Sequence, residues 1–233
     1  MASLDYSLQQ LSENQRTLLH RLAPFEGGAN EDNLLAITEI PEDEWVTLRG
    51  ALEQAALLSI EQIHKEITVP FLHFHPVLIP YLRGQLGPID DALHERYGRR
   101  YFTQAYHLAS EDRRHPQSVH AQVRGELPNL LRALNLVLGS GKLEKATDMA
   151  ENIDKFVIYF GLGKEHEELH KVIETIVATM QESEILTKTE FRCERFLSLE
   201  AFHEGRMQAA IARFTRAYRG PTCRHRGRSW FIL

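Results

Sequence analysis

The chain has 233 residues, of which 43% are hydrophobic and 25% charged, and its net charge is −5. This length and composition are typical of a globular protein with a substantial core, while the negative charge argues against a general nucleic-acid or membrane-surface role. The N-terminus does not resemble a signal peptide, no apolar run approaches the roughly 20 residues of a membrane span, and Cys193 and Cys223 are too far apart for a zinc or redox motif, so we expect a cytoplasmic protein.

Three short helices are predicted in the first part of the chain. Ser12 precedes an apolar helical pattern and is a favourable N-cap residue. Asn30 is predicted to cap a second helix over Glu31–Glu39. Pro41 begins a third helix, because proline lacks the backbone N–H that the first helical position does not use. The mixture of short helices and tight stops indicates a small, compact unit.

A β-hairpin is predicted after the three helices. Its strands, Leu57–Ile63 and Ile67–Phe74, contain β-branched and aromatic residues, and a short polar turn separates them. Pro70 predicts that the second strand lies at a sheet edge, since proline cannot donate a ladder hydrogen bond. Three helices followed by a hairpin is the order of a winged helix, so residues 1–86 are predicted to form a winged-helix domain.

The segment Phe71–Leu86 is predicted to change from strand to helix at His75–Pro76. The residue before a proline is disfavoured in the α region, and proline suits the start of a helix. The segment is apolar on both sides of this point, whereas a flexible linker is rich in glycine, serine or charge. We therefore expect a rigid corner with Leu78 and Leu82 in the core.

The charge of this predicted winged helix disfavours binding to duplex DNA. Residues 1–86 contain 5 basic against 12 acidic residues, hence a net charge of −7. The third helix, which would read the DNA, carries Arg49 as its single basic residue against four acidic ones: Glu42, Asp43, Glu44 and Glu53. Affinity for DNA comes largely from basic side chains that neutralise phosphates. A structural or protein-contacting role is the favoured interpretation.

Residues 87–220 are predicted to form an antiparallel α-helical array. Apolar residues recur at helical spacing in segments that cover residues 89–108, 127–138, 142–160, 164–180, 187–204 and 206–218. Glycine-centred turns join these segments, which is typical of helix pairs that stack. In the last pair Ala210, Phe214 and Ala217 match the small, aromatic and small residues of a tetratricopeptide repeat, although Ser198 stands where that repeat prefers glycine.

Several segments together resemble STAND-type signal-transduction ATPases, a group that includes maltose-activator-like regulators. Residues 74–82 (FHPVLIPYL) are similar to the "HPLLREYL" end of their winged helix, and residues 97–106 (YGRRYFTQAY) to the helix that follows. Residues 126–134 (ELPNLLRAL) and 141–146 (GKLEKA) resemble the "ExxNLRxAL…GDxxxA" start of their helical sensor. Pro80 departs from the pattern.

The resemblance extends loosely over residues 5–218 and does not include the family's nucleotide-binding domain. It implies a regulatory or sensor part, either a fragment or a stand-alone relative of a larger switch.

The sequence His166-Glu-Glu-Leu-His170 fits the zinc-peptidase pattern HExxH. On a helix this spacing would direct both imidazoles to one metal ion, with Glu167 as the base. Charged residues surround the motif and no further motif indicates a third ligand, so we interpret it as part of a solvated helix face.

Two other patterns are better explained by structure than by chemistry. Residues 139–142 (GSGK) lack the glycine and the Ser or Thr of a phosphate-binding loop, because Leu136 and Leu143 occupy those positions. His73 and His75 alternate on a predicted strand, which could place both on one face to bind a metal ion. His75 is better explained as part of the strand-to-helix corner. We predict no catalytic, cofactor-binding or metal-binding residue and no cofactor.

The sequence therefore predicts a non-enzymatic regulatory module. Its helical surface would bind a protein partner or a small effector, and the winged helix would act as a lever against an intramolecular ATPase domain. The alternative is a transcription regulator that binds DNA through the winged helix, and a zinc peptidase is a weaker third option. The basic tail, residues 221–233, is predicted to be disordered.

Overall fold

The computed structural model describes residues 8, 11–85, 90–179 and 188–219. In this part of the chain the protein is mainly helical, with ten α-helices and one small three-stranded antiparallel sheet. The chain divides into two compact units, Met1–Leu136 and Val137–Leu233. Among the described helices, none combines the length and the apolar character that a membrane crossing requires.

The elements follow one another with short connections. In chain order they are α1 (Glu13–Leu19), a 3-10 helix (His20–Leu22), β1 (Gly28–Asn30), α2 (Glu31–Thr38), α3 (Glu42–Gln54), β2 (Leu58–Glu61), β3 (Phe71–Phe74), α4 (Leu78–Gln85), α5 (Asp91–Glu111), α6 (Pro116–Gly139), α7 (Leu143–Phe160), α8 (Gly163–Thr179), α9 (Lys188–His203) and α10 (Met207–Arg219). The domain boundaries predicted near residues 86 and 220 fall beside or on residues outside the described part, and they stay predictions. The tail 221–233 also lies outside it.

The predicted helix starts of the first unit are confirmed. The Ser12 hydroxyl accepts a hydrogen bond from the Gln15 backbone, and the Gln15 side chain accepts one from the Ser12 backbone, which forms a complete capping box. Asn30 and Pro41 occupy the N-cap positions of α2 and α3. The position of Asn30 at the start of α2 is confirmed. Its side chain, however, does not make the predicted capping hydrogen bond.

The sheet differs from the prediction in strand order. β3 pairs antiparallel with β1 on one side and with β2 on the other, so β3 is the central strand and the edge position predicted from Pro70 is wrong. Pro70 precedes β3 and therefore costs the ladder no donor, and its carbonyl accepts a hydrogen bond from the Glu31 backbone. The sequence does not predict β1, because three residues carry too little pattern.

The strand-to-helix change at His75–Pro76 is confirmed. β3 ends at Phe74 and α4 begins at Leu78. The His75 backbone donates to the Leu57 carbonyl at 2.9 Å, and the His75 carbonyl accepts from the Leu78 backbone at 2.9 Å. Leu78 and Leu82 are buried, as expected for a rigid corner.

The side chain of Phe71 lies in a slot between two glycines of the first unit. A Cβ atom placed on Gly28 of β1 would lie 2.7 Å from the Phe71 ring, and one on Gly125 of α6 would lie 2.8 Å from it. Phe71 itself is buried. The central strand can therefore approach both β1 and α6 because neither glycine carries a side chain.

In the second unit, tight turns follow α6, α7 and α9. Gly141, Gly161 and Gly205 adopt left-handed backbone angles after α6, α7 and α9, where a residue without Cβ is least strained. α9 and α10 pack against each other as predicted for the last pair, with Ala210 and Ala217 buried. Phe214, the aromatic residue of the predicted repeat pattern, is 40% exposed.

Candidate functional site

A buried carboxylate on α6 is the centre of a polar network in the first unit. Glu126 accepts hydrogen bonds from the Asn30 backbone at 2.8 Å and from the Asn33 side chain at 2.7 Å, both through Oε1. Its Oε2 accepts from the Tyr101 hydroxyl and from the Asn129 side chain, each at 2.8 Å. One side chain of α6 therefore holds β1, α2 and α5.

The side-chain amide of Asn129, one helical turn after Glu126, both accepts and donates hydrogen bonds. Its oxygen accepts from the Glu26 backbone at 2.7 Å and from the Tyr97 hydroxyl at 2.9 Å. Its nitrogen donates to the Gly28 carbonyl at 2.7 Å as well as to Glu126. The residue is fully buried, and these bonds connect positions up to 103 residues apart.

Burial governs the protonation of this network. Loss of solvation raises the pKa of Glu126, and the four hydrogen bonds that it accepts oppose this rise. Burial and the neighbouring Glu126 raise the pKa of Tyr97 and Tyr101 well above the ordinary tyrosine value. Both hydroxyls therefore remain donors, which is the role in which the network uses them.

Two arginines extend the network toward solvent. Arg83 of α4 donates to the carbonyls of Ala23 and Phe25 and to Glu26, each at 2.8 Å. Arg132 of α6 donates to the same Glu26 oxygen at 3.0 Å. The loop that precedes β1 is thus held by charged hydrogen bonds from α4 and α6, which are stronger than neutral ones.

This arrangement connects elements of the first unit. The polar atoms of Glu126 and Asn129 are hydrogen-bonded to each other, to β1 and the residues just before it, to α2 and to α5, and both side chains are buried. The sequence marks residues 126–134 as a family-like segment but does not identify the partners of its polar residues. The signal that the sequence offers for these two residues is that a Glu and an Asn stand three positions apart within an apolar run.

The structure places the two histidines of the HExxH pattern in different surroundings. His166 Nε2 lies 3.4 Å from Asp154 Oδ1 of α7 and 3.2 Å from Glu200 Oε1 of α9. His170 Nδ1 lies 3.7 Å from Glu174 of its own helix. His166 is thus half-buried against α7 and α9, whereas Glu167 and Glu168 beside it are exposed. In the described part of the chain no group of three or more acidic, His or Cys side chains is arranged to hold a metal ion.

The GSGK segment and the histidine pair of the predicted strand both make local structural contacts. Residues 139–142 end α6 and precede α7, and the Ser140 hydroxyl donates to the Val137 carbonyl. His73 Nε2 lies 2.7 Å from Glu61 across the sheet, whereas His75 Nδ1 accepts a bond from the Val77 backbone at 3.4 Å. The two imidazoles have separate partners and are not brought to one site.

The third predicted helix, α3, has an acidic surface in the structure. The Arg49 guanidinium lies 2.7 Å from Glu31 and 3.4 Å from Glu53. Glu42 and Asp43 are exposed in the first turn of α3. The one basic side chain of this helix is therefore already paired with carboxylates.

Comparison with protein-family models, with curated proteins and with solved structures finds no match to this chain.

Proposed function

We propose that this chain is a non-enzymatic regulatory module of a STAND-type signalling protein. The elements before α5 act as a winged-helix lever, and the helices of the array bind a protein partner or a small effector. The observation that carries this proposal is the network around Glu126 and Asn129. The segment that resembles the start of the family's sensor is the one that holds β1 and α2.

The order of the first elements supports the winged-helix part of the proposal. Three helices precede the pair β2 and β3, and β1 lies between the first and second of these helices. β1 joins the hairpin as a third antiparallel strand. This order is typical of winged helices.

The last helix pair supports a tetratricopeptide-like array. Ser198 of α9 and Ala210 and Ala217 of α10 are buried where the two helices pack closely. Small residues at these positions allow helices to approach, and the left-handed Gly205 reverses the chain between them. Repeats of this kind present extended surfaces to partners.

The charge of α3 favours a protein contact for the winged-helix unit. Its exposed first turn is acidic, and Arg49 is paired with Glu31 and Glu53. Such a surface repels phosphates and suits a basic protein surface. This is the observation that ranks the regulatory module above the DNA-binding alternative.

The test uses the complete open reading frame that contains this chain. We expect that frame to encode a phosphate-binding loop before Met1, and we expect Asn129→Ala to change the rate of ATP hydrolysis of the full-length protein by about fivefold or more. Asn135→Ala, which alters an exposed asparagine of the same helix, should leave the rate unchanged. A product that carries no nucleotide-binding domain and binds no separate P-loop ATPase would overturn the proposal.

A further inference from the structure

Three helices of the second unit bring one imidazole between two carboxylates. Asp154 lies on α7, His166 on α8 and Glu200 on α9, and His166 Nε2 is 3.4 Å from Asp154 Oδ1 and 3.2 Å from Glu200 Oε1. The side chains of Asp154 and Glu200 are 14% and 11% exposed. We call these three residues the three-helix cluster.

The three-helix cluster is incompletely hydrogen-bonded. His166 Nε2 and Asp154 Oδ1 are both inaccessible to water, and within the described residues neither has a hydrogen-bond partner of good geometry. A buried, ionised carboxylate oxygen without a donor is costly. A proton on Asp154 would remove the charge and supply the missing donor.

The charges around Asp154 are mainly negative. Glu151 of the same helix and Glu200 of α9 oppose its ionisation, and His166 of α8 favours it. Glu151 itself is held by Arg192 of α9. Burial, together with these carboxylates, raises the pKa of Asp154 to about 6.

Further charges near His166 pair with one another. Glu204, just after α9, lies near His166 and His170, and its carboxylate accepts a hydrogen bond from Arg206 at 2.6 Å. His170 lies beside Glu174 on the outer side of α8. Asp154 therefore faces two other acids, and among the described residues its one ion pair is with His166.

We propose that the three-helix cluster is a proton-operated contact that holds α7, α8 and α9 together more firmly in mildly acidic than in alkaline solution. In the acidic form the cluster contains a neutral Asp154, whose proton can be donated to His166 Nε2, and Glu200 no longer faces a second charged carboxylate there. In the alkaline form two carboxylates compete for one imidazole nitrogen. The contact makes the stiffness of the helical array depend on pH, and it does not rest on the function proposed above.

The sign of the effect follows from linkage. The pKa of Asp154 in the folded protein is above its ordinary value, so the folded state binds more protons than the unfolded state between roughly pH 4 and 6. Stability therefore increases as pH falls through about 6.

Hydrogen exchange of the full chain at pH 5.5 and 7.5, corrected for the intrinsic exchange rate, tests the proposal. We expect amide protection in α8 and α9 to be about threefold higher at pH 5.5. Asp154→Asn should keep the higher protection at both pH values, and Glu168→Gln, at an exposed position of α8, should behave as wild type. Equal or lower protection of the wild type at pH 5.5, or a pH dependence that persists in Asp154→Asn, would overturn the proposal.

A second variant keeps the test decisive if Asp154→Asn does not fold. Glu200→Gln removes the neighbouring negative charge that raises the pKa of Asp154. The midpoint of the protection change should then move to lower pH by about half a unit to one unit. An unchanged midpoint would show that Asp154 and Glu200 do not interact, and the proposal would fail.

Discussion

Asn129 makes more distant connections than any other side chain of the buried network. It pairs with the backbone of Glu26 and Gly28, with Tyr97 and with Glu126, and all of these bonds are buried except the partly buried one to Glu26. A satisfied buried network specifies one arrangement of its elements, while a broken one leaves several polar groups unpaired at once. We therefore expect the stability of the first unit to be most sensitive to substitution of single residues in this network.

Replacing Asn129 with alanine should destabilise the chain strongly. The change leaves the Glu26 N–H and the Gly28 carbonyl without the Asn129 side chain, and the Tyr97 hydroxyl keeps only the backbone carbonyl of residue 129, at 3.3 Å. We expect a loss of about 2–4 kcal/mol in the free energy of unfolding, measured in urea. Asn135→Ala, in an exposed position on the same helix, should cost less than about 0.5 kcal/mol. Similar costs for both variants would contradict the importance given to the network.

At the scale of elements, close contact between β3 and α6 depends on missing side chains. Phe71 of β3 fits between Gly28 and Gly125, and a Cβ on either glycine would lie closer than 3 Å to its ring. Glycine in a helix interior usually weakens the helix, so Gly125 is expected only where space demands it. The strand and the helix are thus matched in shape.

Alanine substitution at two helical glycines should have effects of opposite sign. Gly125→Ala should destabilise by about 1–3 kcal/mol, because the buried Phe71 ring cannot move away from the new methyl group. Gly50→Ala in α3, where nothing lies within 4 Å of the position that the new methyl group would take, should stabilise by up to about 1 kcal/mol through helix propensity. Urea unfolding of both variants provides the measurement. A Gly125→Ala variant as stable as the wild type would show that Phe71 does not need the space left by this glycine.

The corner between β3 and α4 is a second element-scale feature. Leu82 is buried at 1% exposure, whereas Val77 at the same corner is 47% exposed. We expect Leu82→Ala to cost about 2–5 kcal/mol and Val77→Ala less than about 1 kcal/mol in thermal or urea unfolding. If Leu82→Ala left every unfolding transition unchanged, the corner would be a tether and the lever proposal would lose its basis.

At the scale of the whole molecule, charge rather than fold decides which partners are favoured. The chain carries a net charge of −5, and the exposed start of α3 is acidic. An acidic surface of this kind lacks the surplus of cations that binds phosphates. Its partners are expected among proteins or small effectors.

The protein should not bind random duplex DNA at micromolar concentration. Fluorescence anisotropy of a labelled duplex at about 50 mM salt is the measurement, since low salt favours any electrostatic binding. A variant with Glu42, Asp43 and Glu44 changed to lysine should gain measurable, salt-sensitive affinity. Tight binding by the wild-type chain that weakens in Arg49→Ala would instead support the transcription-regulator alternative.

Local chemistry in the sequence predicted several helices and their ends, although α6 begins at Pro116 and not near residue 127 as predicted. Apolar spacing predicted the buried face of α5, with Tyr97 and Tyr101, and Ser12 predicted the start of α1. The bond before Pro76 predicted the change from strand to helix. These features depend on residues within one or two turns of each other, so their signals are present in short windows.

Tertiary structure alone decided which distant groups meet. The three residues of β1 carry no strand pattern, and they form a strand because β3 offers them a partner, which also makes β3 central. Asn129 meets Glu26 across 103 residues, and His166 meets Asp154 and Glu200 from two other helices. Hydrogen bonds and charge pairs between distant residues depend on how elements pack, and a single sequence contains no local signal of that packing.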